Sequence, residues 1–492
     1  MAATDTSIVI LAAGKGTRMR SELAKVLHRA GGRTLIEHVI RACQPLKPAQ
    51  ILAVVGHQAA EVTAAVETLD LPIPVQTIVQ QPQRGTGHAM QVARRAIRRS
   101  AKLAVVLPGD APLLRGETLA ALVDTHRRGE AAATILSAEL ADPAGYGRII
   151  RDSEGRVQAI VEDKALTPEQ REIREVNSSI YCFTLGKLWP CLGALRPENV
   201  HHELYLTDAI GLLRQRNERV LAYVAADPNE VAGCNTRAHL ADADRVFRAR
   251  AADELMDAGV TIYLPETVAI DPGVSAGPDT VIEPGVRLLG KTRIGARCQI
   301  GAGSVLIDMR VDDDAVILPQ TNLVGSRVGA KAQVGPFARL RPGCDVRAGA
   351  HVGTFVEMKK TTLHEGAKAP HLSYLGDATI GAETNVGAGT ITCNYDGFAK
   401  YETKIGKRVF VGSDSALVAP VRIGDGAYVA AGSVITENVP PDALAIARGR
   451  QANKPGWARQ RRAEMKGAKP ESKAKRKSKS RPKRTVREKS RR

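Results

Sequence analysis

The stretch "KTRIGARCQIGAGSVLID", residues 291–308, decides how the second half of this chain folds. Ile294, Ile300 and Leu306 stand six apart, and glycine follows the first two. Extended backward, the same spacing takes in Leu288, Ile282, Ala276 and Ile270. It resumes at Val328, Val334, Leu340, Val346, Val352 and Met358, and again at Ile405, Val411, Leu417, Ile423, Val429 and Ile435. An α-helix repeats every 3.6 residues and an alternating strand every two, so neither explains a period of six. The period marks a parallel β-helix, in which each hexapeptide forms one flat side, points its aliphatic residue into a narrow core and turns on a small residue. A core of that shape admits little beyond aliphatics, in keeping with an aromatic content of 3 %. The rhythm slips at "YDGFAKYET", residues 395–403, which reads as a loop thrown out from the coil, where function tends to sit.

The first 235 or so residues have another texture. "SIVILAAG", "AQILAVVGH", "VQTIVQQ" and "AKLAVVLPGD" read as buried strands. "EHVIRACQPL", "GHAMQVARRAIRRS" and "ETLAALVDTHRRG" read as helices between them. This alternation predicts an α/β domain, Rossmann-like, with a largely parallel sheet. "HLADADRVFRARAADELMDAG" then predicts a connecting helix. The expected organisation is residues 1–238, a connecting helix 239–259, a β-helix 260–448 and a tail 449–492.

Net charge is +18, which would ordinarily point to nucleic acid. From Arg459 onward, however, 17 Lys/Arg face 3 Glu, so this tail alone supplies +14. The rest is close to neutral. Having almost nothing apolar to bury, the tail is expected to be disordered, and without aromatics to stack on bases it supports at most salt-sensitive polyanion contact. Seven scattered cysteines contain no C-x-x-C pair, which suits a reducing, cytoplasmic setting. No run is long enough for a membrane span.

At the other end, "SIVILAAGKGTRMRSELAKVLH", residues 7–28, stops a strand at Gly14 and places Arg18 and Lys25 just behind. It is neither a Walker A loop nor G-x-G-x-x-G, since Met19 stands where a third glycine would be. A glycine turn after a strand still lets N–H groups approach an anion, and two cations suit a triphosphate. Residues alone leave a phosphate site and a plain strand-to-helix turn both open.

The string resembles the L-A-A-G-x-G-T-R…P-K signature of sugar-1-phosphate nucleotidyltransferases. "QQPQRGTGHAM", "LPGDAPLL", "GYGRI", "IVEDK", "REVNSS", "ELYLTD" and "GCNTR" are similar to the bacterial bifunctional N-acetylglucosamine-1-phosphate uridyltransferase/glucosamine-1-phosphate acetyltransferases. So are "GPFARLRPG", "FVEMKK", "PHLSYLGD", "NVGAGTITCNYDG", "VGSDSALVAP" and "ALAIARGR", so the resemblance spans about Ser7 to Arg448. It implies a left-handed β-helix, a homotrimer, Mg²⁺, and UTP and acetyl-CoA as co-substrates in making UDP-N-acetylglucosamine for the cell wall. Leu11, Ala12, Ala13 and Gly14 match the uridine and phosphate loop, with Arg18 and Lys25 on phosphates. Gln80, Gly85 and Thr86 match uracil contacts, and Gly109 and Asp110 follow in the nucleotide site. Asp110 with Asn235 matches a Mg²⁺ pair, and Gly147, Glu162 and Asn177 a sugar pocket.

In the β-helix, the resemblance makes His371 the general base of acetyl transfer, with Glu357 orienting its imidazole. Arg341, Lys359, Tyr374 and Asn385 match sugar-phosphate contacts; Ala388, Asn394, Tyr395, Ser413, Ala431 and Arg448 match coenzyme A contacts. Four positions depart from the pattern. Ala24 replaces a proline and is expected to loosen its turn, Ser179 a glycine and Thr236 an asparagine, and Pro370 precedes His371. Two other readings remain: a nucleotidyltransferase whose β-helix is only a platform, as in ADP-glucose pyrophosphorylases, and a nucleic-acid binder through the tail.

Overall fold

The computed structural model describes residues 5–198 and 202–467. Most of the basic tail, from 468 on, lies outside the described residues, and with it the expectation of disorder there. Met1–Ile446 forms one compact unit and Ala447–Arg492 another, the latter containing a helix at Trp457–Gly467.

Four apolar runs of the N-terminal half form parallel strands, Thr6–Ala12, Gln50–Val55, Val75–Val79 and Leu103–Pro108. Thr6–Ala12 is central, flanked by Gln50–Val55 and Leu103–Pro108. Its two faces are both covered, as a parallel sheet requires, so Ile8, Val9 and Ile10 are fully buried.

The sheet is more mixed than the alternation suggested. Glu175–Thr184 pairs antiparallel with both Leu103–Pro108 and Ala133–Glu139. It returns after the antiparallel pair Arg148–Arg151/Val157–Val161 and a single helical turn, Pro168–Arg171. The intervening segment forms this pair and one helical turn rather than a long helix packed across the sheet, so no crossover carries the chain back in the parallel sense.

The connecting helix runs Arg237–Asp257, and Thr236 caps it by accepting a hydrogen bond from His239 N at 3.2 Å. From Thr261 onward, short parallel strands stack into three faces, of eleven, ten and nine strands among the described residues, forming the left-handed β-helix. The six-residue rhythm does not actually pause between Leu306 and Val328. Val311, Ile317 and Leu323 fill the same core, with sides shortened to five residues between Leu306 and Val311 and between Leu323 and Val328. Leu363, Ala369, Leu375, Ile380 and Val386 likewise bridge the second gap. Each buried aliphatic contributes about 1.5–3 kcal/mol, so an unbroken column matters more than strict periodicity.

Corners are tight. A side chain on Gly353 would put Cβ 1.9 Å from the Pro370 carbonyl oxygen on the next coil. The expected loop emerges between strands Ile391–Cys393 and Thr403–Ile405. No described helix is long and apolar enough to cross a membrane, and all seven cysteines are unpaired.

Candidate active sites

The first site forms where the central strands end. Gly16 takes φ 61°, and a Cβ there would sit 2.6 Å from Lys25 Cβ. Only glycine allows the loop to fold back over the lysine. Lys25 Nζ then contacts Asp110 Oδ2 and lies 3.2 Å from Asn235 Oδ1. Arg18 Nη2 donates to the same Asn235 oxygen at 2.9 Å.

Asp110 follows Gly109, whose N–H bonds Leu11 O at 2.9 Å, and Cys234 N bonds Asp110 O at 2.8 Å. Two oxygens from segments far apart in sequence therefore converge on one ammonium. That convergence fits a divalent cation held by few protein oxygens. Ala12 and Ala13 are buried, while a Cβ on Gly14 would meet open space.

Gln80 is buried and braces the next turn, its Nε2 donating to Gly85 O at 3.0 Å. Thr86 Oγ1 accepts from Leu206 N at 2.9 Å. In the sugar segment, Asn177 N donates to Gly147 O at 2.8 Å, and Glu162 Oε1 accepts from Thr207 Oγ1 at 3.2 Å. Glu162 is exposed as a residue, yet its carboxyl is crowded enough for desolvation to raise its pKa.

The departures have local accounts. Ala24 takes φ −51°, a value proline would impose, and Leu27 N bonds its carbonyl at 2.9 Å. The turn thus closes without the ring. Ser179 sits at φ 63° within a register shift of its strand, which accounts for the usual glycine there. Its N–H bonds Asn177 Oδ1 at 3.2 Å.

The second site lies on the β-helix. Arg341, Glu357, Lys359 and Tyr374 share one face, where Arg339, Glu357 and Tyr374 stack in register. Lys359 Nζ is 3.6 Å from Asp377 Oδ2, and Asn394 Nδ2 bonds the same carboxylate oxygen. A Cβ on Gly376 would strike the Tyr374 hydroxyl at 2.5 Å and Asn394 Nδ2 at 2.7 Å, so its absence leaves room for both.

Lys400 was overlooked in the sequence. It comes from the thrown-out loop, and the neighbouring Lys359 ammonium lowers its pKa. An electropositive cluster of Arg341, Lys359 and Lys400 can take a phosphate. A lysine within the loop thrown out from the coil at residues 395–403 was the available signal.

His371 ends a strand at the corner joining the first face to the second, and it is exposed. Leu372 follows at φ 45°; on successive coils Ala388, Ser413 and Ala431 hold the same place, before Gly389, Asp414 and Gly432, all at positive φ. The proposed coenzyme contacts thus form a column of small residues leading away from His371 along one corner.

Two expected contacts are not made within one chain. Glu357 does not reach the imidazole: its Oε1 accepts from Arg341 Nη1 at 3.3 Å, on the face beyond His371's corner. Asn385 lies on the first face, in register with Lys368 and Phe410, around the corner from Tyr374 and Lys359. Tyr395 is exposed at the start of the loop. Arg448 belongs to the second unit and is described with it.

Comparison with known proteins matches both halves. Residues 8–171 match the MobA-like NTP transferase domain, and residues 402–437 the bacterial transferase hexapeptide (six repeats). The bifunctional protein GlmU of Koribacter versatilis is 48% identical over 464 residues, 94% of this chain and 98% of that one. That of Solibacter usitatus is 51% identical over 457 residues, covering 93% and 97%. That of Streptomyces coelicolor is 46% identical over 458 residues, covering 93% and 94%. With identity of this order carried through both halves, the chain belongs to the family of bifunctional GlmU proteins.

Proposed function

We infer that the two halves catalyse consecutive transfers and that the two clusters described above carry them. The β-helix acetylates glucosamine-1-phosphate with acetyl-CoA. The N-terminal half transfers UMP from UTP to the resulting N-acetylglucosamine-1-phosphate and releases pyrophosphate. The reading rests chiefly on the convergence of Arg18 and Lys25 on Asn235, with Lys25 also on Asp110, at the strand ends where α/β sheets place ligands.

In uridyl transfer, a phosphate oxygen of the sugar attacks the α-phosphorus of UTP, and the bond to pyrophosphate breaks. No protein nucleophile is needed; bringing two polyanions together is the difficulty, and Arg18 and Lys25 offset their charge. Asp110 and Asn235 would hold Mg²⁺, which when bound neutralises further charge on the triphosphate. Gly14, Gln80, Gly85 and Thr86 frame the nucleotide, and Gly147, Glu162 and Asn177 the sugar.

In acetyl transfer, the substrate amine attacks the thioester carbon while His371 takes its proton. The carbon–sulfur bond then breaks, and coenzyme A leaves as the thiolate, which takes up a proton. Arg341, Lys359 and Lys400 receive the sugar phosphate, and the small-residue corner gives the coenzyme its path.

The site is completed by a neighbouring copy in a homotrimer. Two observations support this: Asn385 lies around a corner from Lys359 and Tyr374, and an apolar ladder of Phe337, Phe355 and Leu372 stands exposed on the corner beside His371. Phe337 and Phe355 stack at 5.5 Å. Bulky apolar residues at positive φ in water are doubly unfavourable unless another surface covers them. Seven unpaired cysteines fit a cytoplasmic place of action.

Purified protein given glucosamine-1-phosphate, acetyl-CoA, UTP and Mg²⁺ tests the reading by separate assays of free thiol and pyrophosphate. Both products must appear, and pyrophosphate must depend on acetylation when glucosamine-1-phosphate is the only sugar supplied. Thiol release without pyrophosphate, or the reverse, rejects the two-transfer scheme.

A further inference from the structure

The hairpin Arg29–Ala30/Arg33–Thr34, just after Lys25, is wedged between the connecting helix and the first coils of the β-helix. Gly31 and Gly32 at its tip take φ 52° and 75°. A Cβ on Gly31 would meet Phe247 Cβ at 2.7 Å, and one on Gly32 would meet Asp271 Oδ2 at 2.5 Å. No other residue type fits that approach.

One bonded chain runs through the junction. Gly31 N donates to Asp244 Oδ1 at 2.7 Å, and Arg248 Nε donates to Asp244 Oδ2 at 2.8 Å. Arg248 Nη1 reaches Asp271 Oδ1 at 3.2 Å, and Asp271 Oδ2 accepts from Gly290 N at 2.9 Å on the following coil. Arg248 therefore joins two carboxylates that bind, respectively, the hairpin and the β-helix. Its guanidinium suits this task because one rigid fork serves both acceptors.

Both ends of the junction lead to the first site. Phe247 stacks on His38 at 3.8 Å, and His38 Nε2 lies 2.8 Å from Ala30 O. Leu35 N donates to His28 O at 2.9 Å, tying the hairpin to the Lys25–Leu27 turn. His28 Nδ1 is 3.1 Å from Arg237 Nη1, and Arg237 stands two residues after Asn235.

We propose that Arg248 is a positioning residue for uridyl transfer, locking the hairpin against the connecting helix and the first β-helix coils so that Lys25 and Asn235 hold their relative places. The first coils are then part of the uridyl-transfer half in all but sequence. This rests on the assignment of Lys25, Asp110 and Asn235 to uridyl transfer. Displacements of about 1 Å at such a site can cost up to about a hundredfold in rate.

Arg248→Ala tests the proposal in the full-length protein. Pyrophosphate kcat should fall about tenfold with the UTP KM within about twofold, and half-saturating Mg²⁺ should rise at least about threefold. Acetyl transfer in the same preparation should stay within about twofold, and Arg248→Lys should recover much of the loss by keeping a cation between the carboxylates. Independently of activity, amide hydrogen exchange in residues 24–34 and 233–239 should accelerate in Arg248→Ala. Uridyl turnover and exchange both near wild type would overturn the proposal. So would a loss shared equally with acetyl transfer, which marks an ordinary stabilising ion pair. Wild-type protein that releases no pyrophosphate would reject the uridyl reading itself, while hydrogen exchange would still decide whether Arg248 tethers Lys25 to Asn235.

Discussion

Lys25 and Asp110, 85 residues apart, meet as ammonium and carboxylate where two adjacent strands of the parallel sheet end. The contact places a cation beside the oxygens expected to hold the metal, and it sits in a different half of the chain from His371. The two transfers should therefore be separable. Asp110→Ala should abolish pyrophosphate release and leave thiol release near wild type, as read by parallel assays on one preparation. Equal loss of both in folded protein would contradict two independent sites.

Gly16 should tolerate no side chain. Gly16→Ala adds strain of about 1–3 kcal/mol at positive φ, and its methyl, 2.6 Å from Lys25 Cβ, must displace the lysine. Uridyl turnover should drop at least about tenfold, with acetyl transfer preserved. A variant with wild-type pyrophosphate kinetics would show that Lys25 need not stay where the loop holds it.

His371→Ala should reduce acetyl turnover by about 10²–10⁴-fold, the usual contribution of a positioned base. Acetyl-CoA affinity should change little, because the small-residue corner stays intact. Glu357→Gln makes the companion measurement. Since Glu357 pairs with Arg341 rather than with the imidazole, its loss should raise the glucosamine-1-phosphate KM more than it lowers kcat. Acetyl turnover of His371→Ala within about threefold of wild type would refute the base.

Stability should fall as pH drops from about 6.5 to about 4. Burial lowers both His38 and His126 to about 4. His126 is enclosed between Thr134 and Thr184, with ring nitrogens 3.0 Å from each hydroxyl. The unfolded chain takes up these protons near pH 6.5 while the folded chain resists them, so the unfolded state binds more protons throughout that window. Each histidine thus contributes stability that is fully present above the window and lost on acidification, at most roughly 3 kcal/mol. Thermal midpoints across pH 7 to 4.5 should decline more steeply for wild type than for His126→Gln; parallel lines would remove His126 from the account.

Much of this protein was determined by short-range pattern. A six-residue rhythm with small corner residues can be satisfied only by a prism of parallel coils, since helix and sheet periods would put the same aliphatics in water. The apolar runs ending at Gly14 and Asp110 likewise set the central strands, because burial on both faces demands continuous apolar sequence. The five-residue sides ending at Val311, Val328, Leu363 and Ile380 escaped such reading: one skipped residue breaks a period in sequence yet leaves the core column intact in space. Glu175–Thr184 escaped as well, because strand direction depends on how the chain returns rather than on its composition. Only tertiary structure decided that Glu357 pairs with Arg341, that Asn385 turns to another face, and that Asn235 joins Lys25 across 210 residues. Local sequence dictates which backbone shapes are cheap; charges meet across long separations only when packing has already settled where the segments lie.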